Sequence, residues 1–149
     1  MDKNNLLKLI RDNREKYTSI IDRYMQDFVY RSKRYEQHFS LSIGLCDFDT
    51  DLKSFESFIR QTDKFIILED NMCCVILDCA PSCSGLKAAN NMLAGFQSRY
   101  FSKSLFSSVV SSDEKKENLQ MINELFYILE YAINNNMDNT VVDSESMLD

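Results

Sequence analysis

The stretch from Phe39 to Cys46 alternates between large apolar and small side chains. The apolar positions are Phe39, Leu41, Ile43 and Leu45, and the small residues that separate them are Ser40, Ser42, Gly44 and Cys46. Successive side chains of a β-strand point to opposite faces of its sheet. This period of two therefore predicts a strand with one apolar face and one face of small side chains.

Turn residues and helical or strand periods predict the elements that follow. The acidic run from Asp47 to Asp51 ends the first strand and supplies a helix N-cap. A helix carrying Leu52, Phe55, Phe58 and Ile59 is predicted next, followed by strands at 64–68 and 72–79 that a tight turn at 69–71 joins. A helix after Pro81 and a strand at 105–110 come after this hairpin. The last predicted helix is opened by a Ser111–Glu114 capping box and closed at 134–136, and an optional edge strand follows at 139–142.

The order β-α-β-β-α-β-α, with an optional short extra strand, predicts an α+β fold. Its expected form is a ferredoxin-like or palm domain, in which helices lie on one face of an antiparallel sheet. The other face of such a sheet must be covered or be functional. A long N-terminal helix is one candidate for that cover.

Residues 1–37 form the N-terminal segment. Apolar side chains recur in it at three- and four-residue steps, which predicts one amphipathic helix or two in succession from about residue 3 to about residue 36. Such a helix either forms a homodimer or packs back onto its own domain, and the sequence leaves both roles open. The domain itself is predicted to span 38–142, and residues 143–149 are predicted to be a disordered acidic tail.

Composition restricts the class of protein. A chain of 149 residues, 44% of them hydrophobic, can bury the core of one domain. The net charge of −6 argues against a nucleic-acid surface, and only Arg31-Ser-Lys33-Arg34 groups basic residues closely. The sequence contains no apolar run of the ~20 residues that a membrane span needs, and its beginning is unlike a secretory signal. We therefore expect a cytoplasmic protein.

Five cysteines, an odd number, are expected to be reduced thiols. They are Cys46, Cys73, Cys74, Cys79 and Cys83. Cys73 and Cys74 are neighbours on a predicted strand and therefore face opposite sides of its sheet, which disfavours a shared metal ion. Neither a metal nor another cofactor is predicted.

Two motifs stand at a distinctive spacing. Arg60-Gln-Thr-Asp63 is followed after five residues by the hairpin segment Glu69–Cys73, and Asp47-Phe-Asp49 precedes both. This layout resembles the GGDEF domain of diguanylate cyclases, whose first strand ends in Asp-x-Asp and whose inhibitory cyclic-di-GMP site is an Arg-x-x-Asp motif. The resemblance covers residues 39–142 and includes a C-terminal pattern matched at Tyr131, Asn139 and Val141.

The hairpin lacks the residues that catalysis in this family uses. The two family glycines fall on Glu69 and Asp70, and the two family acids fall on Asn71 and Met72. The resemblance assigns metal binding to the second acid and to the first Asp of Asp-x-Asp, which is Asp47 here. A methionine thioether is a poor ligand for a hard cation, so Asp47 is a remnant position and cyclase activity is not expected. Only 13 residues separate Asp49 from Asp63, which leaves no room for the second helix of the family.

Three functions remain open at this point. The first is a non-catalytic signalling domain that contacts a protein partner or a second copy of the chain. The second is a cyclic-di-GMP receptor in which Arg60 pairs with phosphate or guanine and Asp63 accepts from the base. The third is a metal-dependent enzyme of another type that uses Asp47, Asp49 and Asp51. No Gly or Glu follows these acids at the positions that a calcium loop requires, so helix capping explains them better.

Overall fold

The computed structural model describes residues 2–47, 51–78, 80–100, 102–114 and 117–148, and among these it also leaves out the side chains of residues 82, 114 and 148. The helices are α1 (Lys3–Asp12), α2 (Arg14–Tyr35), α3 (Ser82–Arg99) and α4 (Asn118–Asn134). The strands are β1 (Ser40–Cys46), β2 (Lys64–Glu69), β3 (Met72–Leu77), β4 (Leu105–Ser111) and β5 (Thr140–Val142). The predicted α+β fold with a long N-terminal helical segment is confirmed.

One five-stranded sheet has the order β2-β3-β1-β4-β5. The alternating strand β1 lies at its centre and pairs antiparallel with β3 and β4. The optional last strand forms as β5, which pairs parallel to β4 and makes the sheet mixed. A parallel pair needs a long crossover, and α4 supplies it between β4 and β5.

The apolar face of β1 is covered by α1, α2 and α4. Leu41, Ile43 and Leu45 are buried there in one core cluster with side chains of all three helices. The buried stripe of the N-terminal helices consists of Leu6, Leu7, Ile10, Tyr17, Ile21, Met25 and Phe28. Of the two roles left open for this stripe, packing onto the domain is the one that the structure shows.

The small-residue face of β1 lies against α3 and a short 3-10 helix at Leu52–Phe58. Small side chains allow the helix to approach closely. A Cβ atom at Gly85 of α3 would lie only 2.3 Å from the Ser40 hydroxyl oxygen. That hydroxyl is itself held by the Ala80 carbonyl and the Ser111 hydroxyl, each at 2.6 Å. The two faces therefore carry two separate cores, one for each set of helices.

Two local predictions about helix starts were wrong. The segment after β1 forms a 3-10 helix, and the Asp51 side chain does not cap it. The capping box of α4 is formed by Glu117 and Gln120, not by Ser111 and Glu114. Ser111 is the last residue of β4, and its hydroxyl already contacts Ser40 inside the sheet.

The C-terminal residues 143–148 have a defined structure, although we predicted a disordered tail over 143–149. The carboxylate of Asp143 accepts hydrogen bonds from the backbone N–H and the hydroxyl of Ser146, at 2.9 and 2.8 Å, and a 3-10 helix spans Ser146–Leu148. Met147 packs partly against the core below α4, which gives this segment an apolar anchor. Asp149 lies outside the described residues. Across the described ranges, no helix combines the length and the apolar run needed to cross a bilayer.

Candidate functional site

The β2–β3 hairpin forms where the sequence predicted it. Its turn consists of Asp70 and Asn71, and Glu69 pairs with Met72 across the end of the ladder. The pairing shifts by one residue between Ile67 and Glu69. Such an irregularity re-aims the side chains that follow it, and here it turns Glu69 toward α2.

Asn71 and Met72 occupy the two positions at which the resemblance places acids. Met72 is fully buried in the core between the sheet and the N-terminal helices. The amide nitrogen Nδ2 of Asn71 donates to the Cys46 carbonyl at 3.0 Å, and the Cys46 N–H donates to the Asn71 carbonyl at 2.9 Å. Both side chains therefore serve the packing of the hairpin against β1, and neither offers a carboxylate to a metal ion.

Glu69 binds the N-terminal helix. Its Oε1 accepts a hydrogen bond of 3.0 Å from the Tyr17 hydroxyl and lies 3.2 Å from Nζ of Lys16. Burial raises the pKa of Tyr17 above its ordinary value, and the hydrogen bond and the negative charge of Glu69 raise it further. Tyr17 therefore stays protonated and donates to Glu69 at any physiological pH.

Asp47 lies at the end of β1, partly buried, and its N–H donates to the Ser104 carbonyl at 3.4 Å. Asp51 is exposed, and Asp49 lies outside the described residues. In the described ranges, no group of three or more His, Cys, Asp or Glu side chains is arranged to hold a metal ion.

Arg60 and Asp63 close a tight turn ahead of β2. The Asp63 carboxylate accepts from the Arg60 backbone N–H at 2.9 Å, from Nη2 of Arg60 at 3.0 Å and from the Asp78 N–H at 2.8 Å. Nη2 of Arg60 also donates to the Asp78 carbonyl. The Asp63 side chain is only 2% exposed, whereas the Arg60 side chain is 59% exposed. This geometry joins the turn to the end of β3.

The same cluster reaches the N-terminal helix through Asp78. The Asp78 carboxylate pairs with Nη1 of Arg31 of α2 at 3.2 Å. α2 is thus attached to the hairpin at two points, through Tyr17 and Lys16 near its beginning and through Arg31 near its end.

Solved structures of GGDEF domains share this architecture. The diguanylate cyclase SiaD of Pseudomonas aeruginosa, in complex with its activator SiaC, superposes with a TM-score of 0.68 over 95% of this chain and 68% of that chain at 10% identity. The chain has the GGDEF fold. The DgcB GGDEF domain of Caulobacter crescentus, in complex with c-di-GMP, matches with a TM-score of 0.67 over 86% of this chain and 90% of that chain at 10% identity.

An active GGEEF domain of a Vibrio cholerae diguanylate cyclase shares the GGDEF fold as well. It matches with a TM-score of 0.65 over 78% of this chain and 89% of that chain at 16% identity. No family model matches the sequence, and no curated protein matches it either. At these identities the likeness is one of fold.

Within this GGDEF fold the buried cysteines are inert. Cys73 lies in the core below α3 and Cys74 in the core below α2, as their neighbouring positions on a strand predicted. Burial raises the pKa of Cys73 to about 12 and raises the pKa values of Cys46 and Cys74 as well. A thiol with a raised pKa is a poor nucleophile at neutral pH. Cys83 is exposed, and Cys79 lies outside the described residues.

Tyr17, Arg31 and Asp78 were not predicted as partners of the GGDEF-fold hairpin. Arg31 belongs to the short basic cluster that the sequence showed, and Asp78 falls in the predicted strand. However, 47 residues separate these two side chains and 52 separate Tyr17 from Glu69. No local period links residues at such distances, so only the folded chain brings them together.

Proposed function

We propose that this chain is a non-catalytic domain of the GGDEF fold that acts through contacts with a partner protein. The observation that carries the proposal is the burial of Met72 in the core, at the position where the resemblance places a metal-binding acid. Restoring a carboxylate there would put a charge into an apolar core, which is strongly unfavourable. The packing of the hairpin therefore requires an apolar side chain at the position where turnover would require a metal-binding carboxylate.

The surroundings of Glu69 support the same function. Diguanylate cyclases bring a nucleotide triphosphate close to the hairpin backbone, and their glycines leave space for it. Here the carboxylates of Glu69 and Asp70 add negative charge at that place, and the contacts of Glu69 with Tyr17 and Lys16 fasten α2 to the hairpin. The charge of Asp70 and the fixed side chain of Glu69 therefore both oppose the approach of the polyanion that a cyclase must bind.

A structural neighbour and the inward position of the N-terminal apolar stripe support contacts with a different partner protein. The solved structure of one neighbour, the diguanylate cyclase SiaD, is that of a complex with its protein activator. The apolar stripe of α1 and α2 is turned inward here, so a homodimer through that stripe would expose the core. We therefore propose a partner other than a second copy at this stripe, and light scattering of the full chain tests that choice by measuring its mass.

Turnover of GTP tests the proposal directly. The full chain is incubated with GTP and either Mg²⁺ or Mn²⁺, and the products are separated by liquid chromatography beside an active diguanylate cyclase. We expect no cyclic-di-GMP from this chain. Formation of cyclic-di-GMP, and its loss in the Asp47→Ala variant, would overturn the proposal because the remnant position would then be catalytic.

Cyclic-di-GMP binding at Arg60 and Asp63 is the second candidate function. It is favoured by the 59% exposure of the Arg60 side chain and by its positive charge, which suits a phosphate. It requires Asp63 to release the backbone N–H groups of Arg60 and Asp78 before it accepts from a base. Calorimetric titration of the parent, Arg60→Ala and the control Lys53→Ala with cyclic-di-GMP decides it. Heat that only Arg60→Ala loses supports the receptor, and absence of heat from the parent excludes it.

A further inference from the structure

The outer surface of α2 near its C-terminus carries an unusual combination of side chains. Its members are Arg23, Tyr24, Tyr30, Arg34 and Tyr35 of α2 together with Lys64 of β2, and we name this surface the basic–aromatic face. Tyr30 and Tyr35 are 60% and 58% exposed, although tyrosine rings are usually half-buried in a domain of this kind.

The cations of this face contact rings instead of carboxylates. Nζ of Lys64 lies 4.8 Å from the centre of the Tyr24 ring, and the guanidinium of Arg23 lies 5.6 Å from the same centre. Arg34 lies 5.7 Å from the Tyr35 ring and donates a hydrogen bond of 3.2 Å to the Tyr30 hydroxyl. A cation over a ring keeps its charge available to an incoming anion.

Several other cations of the chain pair with carboxylates within the fold. Arg11 and Arg14 pair with Glu130, Lys16 pairs with Glu69, and Arg60 pairs with Asp63. Within the described part of the chain, Arg23, Arg34 and Lys64 have no such ion pair. Asp27 lies between Arg23 and Arg34 on the helix and offsets only part of their charge. The face is therefore positive on a chain whose net charge is −6.

We propose that the basic–aromatic face docks a short acidic segment of the partner protein. This inference rests on the proposed function and names the chemistry of its partner. Tyrosine and arginine are among the residue types that contribute most binding energy in protein interfaces, and the complementary charge guides the approach of an acidic chain. The overall negative charge of this chain disfavours a long polyanion such as nucleic acid.

The geometry sets the length of the segment. Arg23 and Arg34 are eleven residues apart on one stripe of α2. At 1.5 Å per residue their backbones are separated by ~16 Å. An extended peptide rises ~3.3 Å per residue, so about five residues span this distance. One acidic group then meets Arg23 and Lys64 beside Tyr24, and a second meets Arg34 between Tyr30 and Tyr35.

Fluorescence anisotropy with a labelled peptide tests the inference on the full chain. The probe is Glu-Glu-Leu-Ser-Leu-Ser-Glu-Glu, and the same peptide with Gln in place of Glu is its control. We expect saturable binding of the acidic peptide, weakened at least tenfold by the charge reversal Arg23→Glu with Arg34→Glu. The matched reversal Lys8→Glu with Lys87→Glu removes two exposed cations elsewhere and is expected to change the affinity no more than twofold.

A second variant tests the inference even if the double charge reversal on α2 prevents folding. Lys64→Glu changes β2 instead of α2, and we expect it to weaken binding about threefold while the far-ultraviolet circular dichroism stays unchanged. Absence of saturable binding, or an equal loss in the Lys8 and Lys87 control, would overturn the inference. Tighter binding of single-stranded DNA or of phosphatidylglycerol vesicles would overturn it too. GTP turnover is measured separately, so a failure of this inference is distinguishable from a failure of the proposed function.

Discussion

The Tyr17 hydroxyl donates a hydrogen bond of 3.0 Å to the Glu69 carboxylate, and 52 residues separate the two along the chain. Tyr17 belongs to the second N-terminal helix and is fully buried. Glu69 is the last residue of the first hairpin strand. The contact joins the N-terminal segment to the hairpin at the place where the GGDEF resemblance has a glycine. Glu69 is therefore a structural residue in this chain.

Replacing Tyr17 with Phe removes the hydroxyl but keeps the ring in the core. We expect the free energy of unfolding near neutral pH to fall by about 1 kcal/mol, the net contribution of a typical hydrogen bond. Burial and Glu69 raise the pKa of Tyr17 above its ordinary value of 10.0. The unfolded chain therefore loses this proton first as the pH rises, and the folded protein loses the stability that the protonated Tyr17 contributes.

The Tyr17→Phe variant lacks this titration. Its deficit relative to the parent should be largest below pH 10 and should shrink as the pH rises beyond that value. Urea unfolding followed by circular dichroism at several pH values measures the difference. Tyr127→Phe is the control because Tyr127 is exposed, and it should match the parent throughout. A deficit that stays constant up to about pH 11 would contradict the raised pKa of Tyr17.

Asp63→Ala is expected to destabilise the fold by about 3 kcal/mol, since it leaves the backbone N–H groups of Arg60 and Asp78 without an acceptor. Arg60→Ala should cost only about 1 kcal/mol because the Arg60 side chain is 59% exposed and water can replace its contacts. Chemical unfolding of both variants measures this order. Asp51→Ala, in which no side-chain cap is lost, is the near-neutral control. A larger cost for Arg60→Ala than for Asp63→Ala would show that the turn is held differently.

Gly85→Ala is expected to destabilise the protein by about 2 kcal/mol, because the new methyl group would overlap the Ser40 side chain. Ser40 has no room to turn away, since its hydroxyl is held by Ala80 and Ser111. Gly95→Ala in the same helix is the matched control. There the methyl group meets the exposed Phe58 ring at 3.0 Å, and that ring is able to move. The melting temperatures of the two variants should differ clearly, and equal values would refute the close approach of α3 to β1.

Met72→Glu is expected to destabilise the fold by more than 3 kcal/mol, or to prevent folding, because it buries a carboxylate without a partner. Ile67→Glu is the control on the same hairpin. Ile67 is 42% exposed, so its replacement should cost about 1 kcal/mol or less. Soluble yield and chemical unfolding compare the two variants. A stable Met72→Glu protein would mean that this position faces solvent, and it would remove the main support for a non-catalytic domain.

Several elements were predictable because their signals are local. The alternation at 39–46 predicted β1, and Glu69 to Asn71 predicted the tight turn. The start of α4 was predicted wrongly because Ser111 and Glu114 match a capping box by spacing alone. In the fold Ser111 belongs to β4, where its hydroxyl bonds Ser40. A competing tertiary contact decided the position of that helix end.

The Arg60 and Asp63 motif shows the limit of a motif in a sequence. The spacing predicted a ligand site, and a local ion pair is the other common outcome of such spacing. In the folded chain the Asp63 carboxylate also accepts a hydrogen bond from the backbone N–H of Asp78, which lies at the end of another strand. The sequence gives no sign of that third partner, which lies 15 residues away.

The amino-acid sequence by itself determined β1, the hairpin turn and the order of the elements, and it places Asn71 and Met72 where the resemblance has acids. These properties depend on the side chains of near neighbours, whose periods and turn preferences are encoded within a few residues. Only the tertiary structure decided that Glu69 binds Tyr17, that Asp63 lies buried against Asp78 and that Lys64 of β2 meets Arg23 at the Tyr24 ring of α2. Such pairs arise when packed cores bring distant segments together, and no local pattern records which segments will meet.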